Sequence, residues 1–195
     1  MKKILACGLL CLLLSGCEAL PYPRELEETM LVRVLGVDWT EAGVALTAAD
    51  IPQEGDQEEA ELLKVFAPTP EESQQKLKEA GEEYVALTHV TQILVGEDSD
   101  LRRVLEGALA GAEVGQTSTV WLVKTGTARD LMEAVNGGAK RLTSIELNVS
   151  GVTPRTVLEA LAELEHEGTV SLPALTAKDG NLEPAGMVEW KEMKI

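Results

Sequence analysis

The sequence has few aromatic residues and little cysteine. Trp, Tyr and Phe make up 3% of its 195 residues, so a core has to be built mainly from aliphatic side chains. The three cysteines all fall within the first 17 residues. The rest of the chain therefore has no thiol for a disulfide, a metal site or nucleophilic catalysis. We expect a domain that is held together by its hydrophobic core alone.

Basic residues are scarce as well. There are 17 Lys and Arg against 33 Asp and Glu, which gives a formal net charge of −16. Such a chain repels the phosphates of nucleic acid and the headgroups of anionic lipid. We therefore expect no nucleic-acid partner, and any hold on a membrane has to come from something other than a basic patch.

Common enzymatic motifs are missing too. The sequence contains no Gly-x-Ser-x-Gly nucleophile elbow, no Gly-x-x-x-x-Gly-Lys phosphate loop, no Gly-x-Gly-x-x-Gly after a strand and no His-Glu-x-x-His. The acidic run over residues 53–61 lacks the ligand order of a calcium loop. We predict no cofactor, no metal ion and no enzymatic activity.

Two histidines and two aspartates are the remaining candidates for catalysis. His89 opens a strand predicted to be buried, where a structural role is favoured over general-base chemistry, and His166 lies at a helix C-terminus, which favours a positive charge. Asp38 and Asp50 end two strands predicted to form a hairpin, so they should lie at opposite edges of the sheet. We interpret both aspartates as turn or cap residues. An envelope enzyme that depends on His89 or Asp38 is the alternative.

The N-terminal segment is typical of an exported protein. Lys2 and Lys3 precede an uncharged apolar run over residues 4–14, which is too short to span a bilayer. The run ends in Leu14-Ser-Gly-Cys17, which is similar to a bacterial lipobox. In a lipobox the chain is cut between Gly16 and Cys17, and the Cys17 thiol is diacylated. A plain signal peptide that ends near a cysteine is the alternative.

This motif defines the predicted organisation of the chain. Residues 1–16 are a lipoprotein signal peptide that is removed, residues 17–24 are a lipid-anchored tether, and residues 25–195 form one domain. Loss of the two lysines of the signal peptide takes the formal net charge from −16 to −18. Two acyl chains give stable anchoring without a basic patch, so a diacylated Cys17 would suffice to hold this acidic domain at a membrane.

Strand and helix patterns alternate over the predicted domain. The pattern predicts an α/β or α+β fold, a single domain with a mixed, mainly antiparallel sheet flanked by about four helices. Residues 139–152 are ambiguous between strand and irregular structure. The predicted strands cover residues 31–38, 43–50, 62–67, 88–96, 117–124, 169–176 and 186–193. The predicted helices run from Thr69 to about residue 83, over residues 101–112 after a cap at Asp98 or Ser99, from Thr127 to Val135, and from Thr153 and Pro154 to Gly168.

Large side chains on these elements have structural and functional interpretations. Trp121 lies within a predicted strand and should be part of the core, whereas Trp39 and Trp190 should cover edges; a shared ligand platform is the alternative. The apolar stripe of the helix that begins at Leu101 is compatible with a partner groove. A helix that packs on the core has the same pattern, which we favour here.

Several segments, in their order and spacing, resemble the N-terminal domain of the spore germination lipoproteins of the Ger(x)C family. The lipobox is followed by Arg24-Glu-Leu26 and by an aliphatic run that ends in Gly36-Val-Asp38. A strand segment that ends in Gly96-Glu97 follows, and then the segments 120–131, Leu172-Pro173 and 186–190. Leu20-Pro-Tyr-Pro23 stands where the family often has Trp-Asp.

This resemblance implies a non-enzymatic lipoprotein on the outer face of the inner spore membrane, the C subunit of a GerA-type nutrient germinant receptor. It implies three partners: membrane lipid through Cys17, an integral-membrane A subunit and a transporter-like B subunit. Typical members continue into further domains, so a short relative or a partial subunit is expected. A substrate-binding lipoprotein of an uptake system and an envelope lipoprotein of another role are the alternatives.

Overall fold

The computed structural model describes residues 29–49, 62–81, 84–110, 114–135 and 152–191. The predicted segments 1–16 and 17–24, Asp50, the acidic run 53–61 and most of the ambiguous stretch 139–152 lie outside these residues. The described strands are β1 Thr29–Leu31, β2 Val34–Thr40, β3 Gly43–Ala49, β4 Leu62–Ala67, β5 Tyr84–Ala86, β6 Gln92–Val95, β7 Thr119–Val123, β8 Thr169–Lys178 and β9 Asn181–Lys191. The described helices are α1 Pro70–Ala80, α2 Leu101–Ala110, α3 Ala128–Ala134 and α4 Val157–Glu167, and a 3₁₀ helix spans Leu87–His89.

Seven of these strands form one mixed sheet in the order β4-β3-β2-β6-β7-β8-β9. The neighbours β2, β6, β7 and β8 run parallel, whereas β3 and β4 on one side and β9 on the other are antiparallel to their neighbours. The antiparallel pairings are the longer ones. The predicted fold class, a mixed and mainly antiparallel sheet with four helices, is confirmed.

Helices cover both faces of this sheet. One face packs against α1, α2 and α4 through Leu77, Leu105 and Leu164, all of which are buried. The other face packs against α3, whose Leu131 and Met132 meet the buried Trp121 of β7. Because aliphatic side chains point alternately to the two faces of each strand, the central strands are buried on both sides. The domain therefore has two apolar layers separated by the sheet.

The predicted helix starts at Thr69 and Thr127 are confirmed. The Thr69 hydroxyl accepts a hydrogen bond from the backbone N–H of Glu72 at 3.3 Å, and Pro70 occupies the first turn. The Thr127 hydroxyl accepts one from the N–H of Asp130 at 3.0 Å. These side chains satisfy backbone donors that a helix leaves unpaired at its N-terminus, and the local sequence is enough to specify both.

The predicted start of the last helix was wrong by three residues. α4 is capped by Thr156, and not by Thr153 with Pro154. Thr156 and Glu159 form a reciprocal capping box: the N–H of Glu159 donates to the Thr156 hydroxyl at 3.2 Å, and the N–H of Thr156 donates to the Glu159 carboxylate at 2.9 Å. This pairing outweighs the preference for proline in the first turn. Leu158, the second residue of α4, is 53% exposed.

The ends of three other predicted elements differ from the structure. β6 begins at Gln92, since residues 87–89 form a 3₁₀ turn in place of a strand. β9 begins at Asn181, five residues earlier than expected. Helix α2 begins at Leu101, and the side chain that accepts from its first turn is Asp100, not Asp98 or Ser99: the N–H of Arg103 donates to Asp100 at 3.2 Å.

A second, two-stranded sheet lies ahead of the main one. β1 and β5 pair in parallel, with Thr29 opposite Tyr84. β1 leads into β2, and β5 leads through the 3₁₀ turn into β6, which pairs with β2 in parallel. The small sheet therefore extends the main sheet at the amino ends of its parallel strands.

Candidate functional site at the carboxyl edge of the parallel strands

The topology brings three separate segments to one edge of the sheet. The parallel strands β2, β6 and β7 end at the same edge, where ligands commonly bind in open α/β sheets. Gly36-Val-Asp38 ends within β2, Gly96-Glu97 follows β6, and residues 124–131 follow β7. These are three of the segments that carry the family resemblance. We call the group formed by Asp38, Gly96, Glu97, Ser99 and residues 126–129 the carboxyl-edge cluster.

The Asp38 carboxylate is the centre of this cluster. Its Oδ1 accepts a hydrogen bond from the backbone N–H of Ala128 at 2.7 Å, and its Oδ2 accepts one from the N–H of Arg129 at 3.2 Å. Both donors belong to the first turn of α3, where backbone N–H groups have no partner within the helix. Asp38 is thus a cap residue, as predicted, but it caps a helix that lies 90 residues further along the chain.

Gly96 is required by the position of this carboxylate. A Cβ atom built on Gly96 would lie 2.0 Å from Oδ1 of Asp38 and 3.3 Å from the backbone nitrogen of Ala128. No side chain fits in that space. The glycine that follows β6 therefore permits the close approach of β2 and the start of α3.

Two further pairs of hydrogen bonds hold the segments together. The N–H of Glu97 donates to the carbonyl of Gly126 at 3.0 Å, and the N–H of Gly126 donates back to the Glu97 carboxylate at 3.1 Å. The Ser99 hydroxyl accepts from the N–H of Trp39 at 3.0 Å and donates to the carbonyl of Val37 at 3.3 Å. The sequence interpretation missed these roles, although a glycine directly after a buried strand is a recognisable signal of close backbone approach.

Burial and hydrogen bonding shift the pKa of the Asp38 carboxyl in opposite directions. Burial raises the pKa of the Asp38 carboxyl above its usual value of 3.8 and is the largest effect. The two backbone N–H donors and the guanidinium of Arg129 lower this pKa, while the neighbouring Asp130 raises it. Each carboxylate oxygen accepts one backbone hydrogen bond, so the group holds the start of α3 against β2.

Arg129, the basic side chain beside Asp38, belongs to a group of paired charges. Arg129 Nε lies 3.0 Å from Oε1 of Glu133, and Nζ of Lys64 on β4 lies 2.7 Å from the same oxygen. These two partners hold the pKa of Glu133 below its ordinary value of 4.5. Among the described residues there is no group of three or more His, Cys, Asp and Glu side chains placed to hold a metal ion. The described contacts of the cluster join backbone segments of β2, β6 and the start of α3 to one another.

The other predicted site residues lie elsewhere. His89 is exposed in the 3₁₀ turn, so its predicted place in a buried strand was wrong. His166 is exposed in the last turn of α4, as expected. β3 ends opposite the start of β2, so the end of β3 that precedes Asp50 lies at the edge away from Asp38. Gly16 and Cys17 precede the described residues.

The three tryptophans do not form a ligand platform. Trp121 is 1% exposed in the core beneath α3. Trp39 and Trp190 are half-buried against the opposite apolar layer. The predicted place of Trp121 in the core is confirmed. Trp190 lies on the edge strand β9, as predicted, whereas Trp39 lies on the interior strand β2 and packs beside Gly107 of α2.

An apolar pocket of about 50 Å³ lies between the sheet, α1 and α2. Trp39, Leu46, Val104 and Gly107 are among its lining residues, and Gln74 of α1 contributes a polar group. None of its lining residues in the described part of the chain carries a titratable side chain. The described lining is therefore suited to contact with apolar groups.

Among the described residues, no helix is both long enough and apolar enough to cross a bilayer.

Comparison with known proteins gives one family match. The family model described as "Spore germination protein N-terminal domain" matches residues 23–177. No curated protein matches the sequence significantly. The crystal structure of the GerBC protein is similar at 18% sequence identity and a TM-score of 0.42. That similarity covers 80% of this chain and 48% of the other, so this chain spans about half the length of the GerBC protein.

Proposed function

Because the chain belongs to the family of the spore germination protein N-terminal domain, we propose that it acts as a membrane-anchored C-type subunit of a spore nutrient germinant receptor. The match confirms the resemblance found in the sequence. In this proposal the domain is a non-catalytic interaction and signalling component. It responds, together with its partner subunits, to small nutrients such as amino acids, sugars or nucleosides.

The family match over residues 23–177 is the observation that carries the proposal. The carboxyl-edge cluster adds a physical argument, since segments that carry the resemblance meet there and bind one another. Asp38 joins β2 to the start of α3, and Glu97 joins the end of β6 to Gly126. A subunit that works through the shape of its surface needs such a fixed arrangement.

A non-catalytic role agrees with the state of the polar groups. The Asp38 carboxylate accepts two backbone hydrogen bonds, Glu133 is paired with Lys64 and Arg129, and the two histidines are exposed and far apart in the sequence. Contact with partner proteins is the function that such a surface supports.

Attachment through a diacylated Cys17 is the proposed link to the membrane, on the outer face of the inner spore membrane. The support is the lipobox in the sequence, together with a net charge that offers no electrostatic attraction to anionic lipid. Lipid attachment would keep the domain in the plane of integral-membrane A and B subunits and so raise its effective concentration beside them. A weak protein interface would then suffice for assembly.

Deletion of the gene in a spore-forming host tests the function. We expect germination to at least one nutrient to be abolished or slowed, as measured by the fall in optical density of a spore suspension. Complementation with the wild-type gene should restore it, and so should the His89→Ala variant, since His89 is exposed and makes no contact in the carboxyl-edge cluster. Unchanged germination to every nutrient in a host without a related gene would contradict the proposal.

A further inference from the structure

The main sheet ends on one side in a long strand, β9. Among the described strands, β9 pairs with β8 alone. It is 11 residues long, and none of these residues is buried. The backbone groups along the free side of an edge strand can pair with a strand of another chain. β9 is therefore a candidate surface for main-chain pairing.

The edge on the opposite side of the sheet is better protected. β4 has six residues, and Nζ of Lys76 on α1 donates to the carbonyl of Phe66 at 3.0 Å. On β9, Pro184 has no backbone N–H, and Ala185 is an extra residue that shifts the register with β8. Residues 186–191 follow in unbroken register. This regular part of β9 is the stretch that can accept another strand.

The hydrogen bonds of β8 show which of its backbone groups face β9. The carbonyl of Leu175 accepts from the N–H of Lys124, just after β7, at 2.9 Å. The N–H of Ser171 donates to the Glu163 carboxylate of α4 at 3.2 Å. Both groups therefore point away from β9. Because the backbone groups of successive strand residues point to alternate sides, the even-numbered residues of β8 face β9.

Three residues of β9 consequently direct their backbone groups to the free side. The even-numbered residues of β8 lie opposite Val188 and Trp190, so these two bond to β8, while Met187, Glu189 and Lys191 face outward. The side chains of Glu189 and Lys191 share one face of the sheet, where Nζ of Lys191 lies 3.0 Å from Oε1 of Glu189. Val188 and Trp190 pack on the apolar layer of the other face.

The charges on this edge complement those of a second copy. Two copies related by a two-fold axis pair their edge strands antiparallel, and outward-facing residues then lie opposite one another. Among the described residues, Glu189 can meet Met187, Glu189 or Lys191 of the second copy. Only the last register places opposite charges across from each other, and the symmetry repeats that pair on both sides of the axis.

The same register aligns the tryptophans. Trp190 then lies on the two-fold axis and faces Trp190 of the second copy, and aromatic and opposite-charge cross-strand pairs both stabilise a sheet. Lysine on an edge strand usually opposes pairing with another chain, but here it meets a carboxylate. The net charge of −16 repels a second copy at long range. Physiological salt screens this repulsion beyond about 8 Å.

We propose that the free edge of β9 pairs with the same edge of a second copy, with Glu189 opposite Lys191 and Trp190 opposite Trp190, so that two main sheets become one. Residues 189–191 of each copy form the described part of this contact, because residues 192–195 lie outside the described residues. This self-association goes beyond the proposed function and does not depend on it.

Disulfide formation between two cysteine variants tests the register. Residue 189 of one copy and residue 191 of the other have Cα atoms about 5.5 Å apart, within reach of a disulfide. The two residues 189 are diagonal neighbours about 8 Å apart, which is too far. Glu189→Cys and Lys191→Cys, on full chains with different epitope tags, should therefore cross-link when mixed and oxidised, and each should do so far less alone.

Two controls accompany this experiment. The wild type is oxidised in parallel, because its three cysteines lie within the first 17 residues. Glu183→Cys mixed with Lys191→Cys is the matched control, since Glu183 is exposed on the same strand but precedes the register shift, and it should not cross-link. Equal cross-linking in the mixture, in either variant alone and in this control would overturn the proposed register.

Exchange of the charges tests the partner. Glu189→Lys and Lys191→Glu shift the net charge in opposite directions, but each places like charges opposite one another on both sides of the axis. Either variant alone should dimerise at least about tenfold more weakly than the wild type, and an equal mixture of the two should recover the dimer. The measurement is sedimentation equilibrium of the full chain in physiological salt. A wild type that is monomeric at every concentration, or equal affinity in all four samples, would overturn the proposal.

Discussion

The two ends of the main sheet are built in different ways. At the carboxyl edge, the side chains of Asp38, Glu97 and Ser99 bind backbone groups of other segments at 2.7–3.3 Å. The opposite end, called the entry end, is formed by residues 29–33 and 84–91, where backbone pairing predominates and side chains such as Arg33 and His89 are exposed. The Ser118 hydroxyl donates to the carbonyl of Val90 there at 2.8 Å. Polar side chains therefore make more of the contacts between segments at the carboxyl edge than at the entry end.

This difference shows that a partly buried carboxylate at the end of a strand can hold the start of a distant helix. Asp38 has the position and the partial burial of a catalytic acid, but both of its oxygens are occupied by helix N–H groups. The exposed histidine at the entry end has the chemistry of a base but lacks the surroundings of one. The comparison predicts that substitutions at the carboxyl edge act on stability, and that matched ones at the entry end have little effect.

The largest effect is expected from Gly96→Ala. The added Cβ would lie 2.0 Å from the Asp38 carboxylate, so the carboxylate has to move and release the start of α3. Crowding together with the lost hydrogen bonds should lower the free energy of unfolding by about 3 kcal/mol. The measurement is urea unfolding followed by tryptophan fluorescence.

Gly115→Ala is the matched control. Gly115 precedes β7 at the amino end of the sheet, and a Cβ there meets its nearest atom, the Ser118 hydroxyl oxygen, at 3.5 Å, an ordinary contact distance. Its stability should change by less than about 1 kcal/mol. Equal losses for the two variants would mean that the carboxyl edge is not more tightly constrained than the entry end.

Asp38→Ala should have the next largest effect. The N–H groups of Ala128 and Arg129 lose a charged acceptor, and hydrogen bonds to charged groups contribute about 1.5–3 kcal/mol each. Because water can replace part of the loss, we expect a decrease of about 2 kcal/mol in the free energy of unfolding. Faster hydrogen exchange of these two amides would locate the effect. His89→Ala should leave the stability unchanged, and a loss as large as that of Asp38→Ala would contradict the comparison.

A smaller effect is expected in the pH dependence of stability. Burial raises the pKa of Asp38 in the folded chain above 3.8, so the folded state keeps this proton to higher pH than the unfolded state does. The resulting stability is fully present below pH 3.8 and is lost as the pH rises through the folded pKa. Relative to Asp38→Asn, the wild type should therefore gain stability as the solution is acidified.

Glu159 is the control of opposite sign. Its hydrogen bonds to Thr156 lower its pKa from 4.5, so its contribution is present above pH 4.5 and is lost as the pH falls through the folded pKa. Relative to Glu159→Gln, the wild type should lose stability on acidification. Parallel slopes for the two comparisons, measured by urea unfolding between pH 3 and pH 7, would show that burial does not dominate at Asp38.

The sequence predicted the elements whose signals are local. Thr69 with Pro70 and Glu72 specifies a helix start within four residues, and the structure has it there. The capping box of Thr156 and Glu159 was also present in the sequence, but the nearby Thr153-Pro154 was preferred, and the start of α4 was misplaced. Where two threonines could both cap the helix, the one that forms the reciprocal pair with a glutamate, Thr156, is the cap in the structure.

The candidate site was only partly predictable because its contacts are long-range. The sequence identified Asp38 as a cap, but its partners lie 90 and 91 residues away. Only the alignment of β2, β6 and β7 brings Asp38, Gly96 and residues 126–129 together. The error at His89 has a similar origin. Residues 87–91 connect β5 to β6, whereas only residues 32–33 connect β1 to β2, although both pairs of strands are in register. The 3₁₀ turn takes up the three extra residues and exposes His89.

Retention of the full chain on membranes tests the account most directly, because the domain is proposed to act by being held beside membrane partners. The wild type and Cys17→Ala are expressed in bacterial cells that lack the A and B subunits, and their membrane and soluble fractions are compared. We predict that the wild type sediments with the membranes, while Cys17→Ala is soluble and unfolds at the same urea concentration. Retention of Cys17→Ala on these membranes would contradict the account.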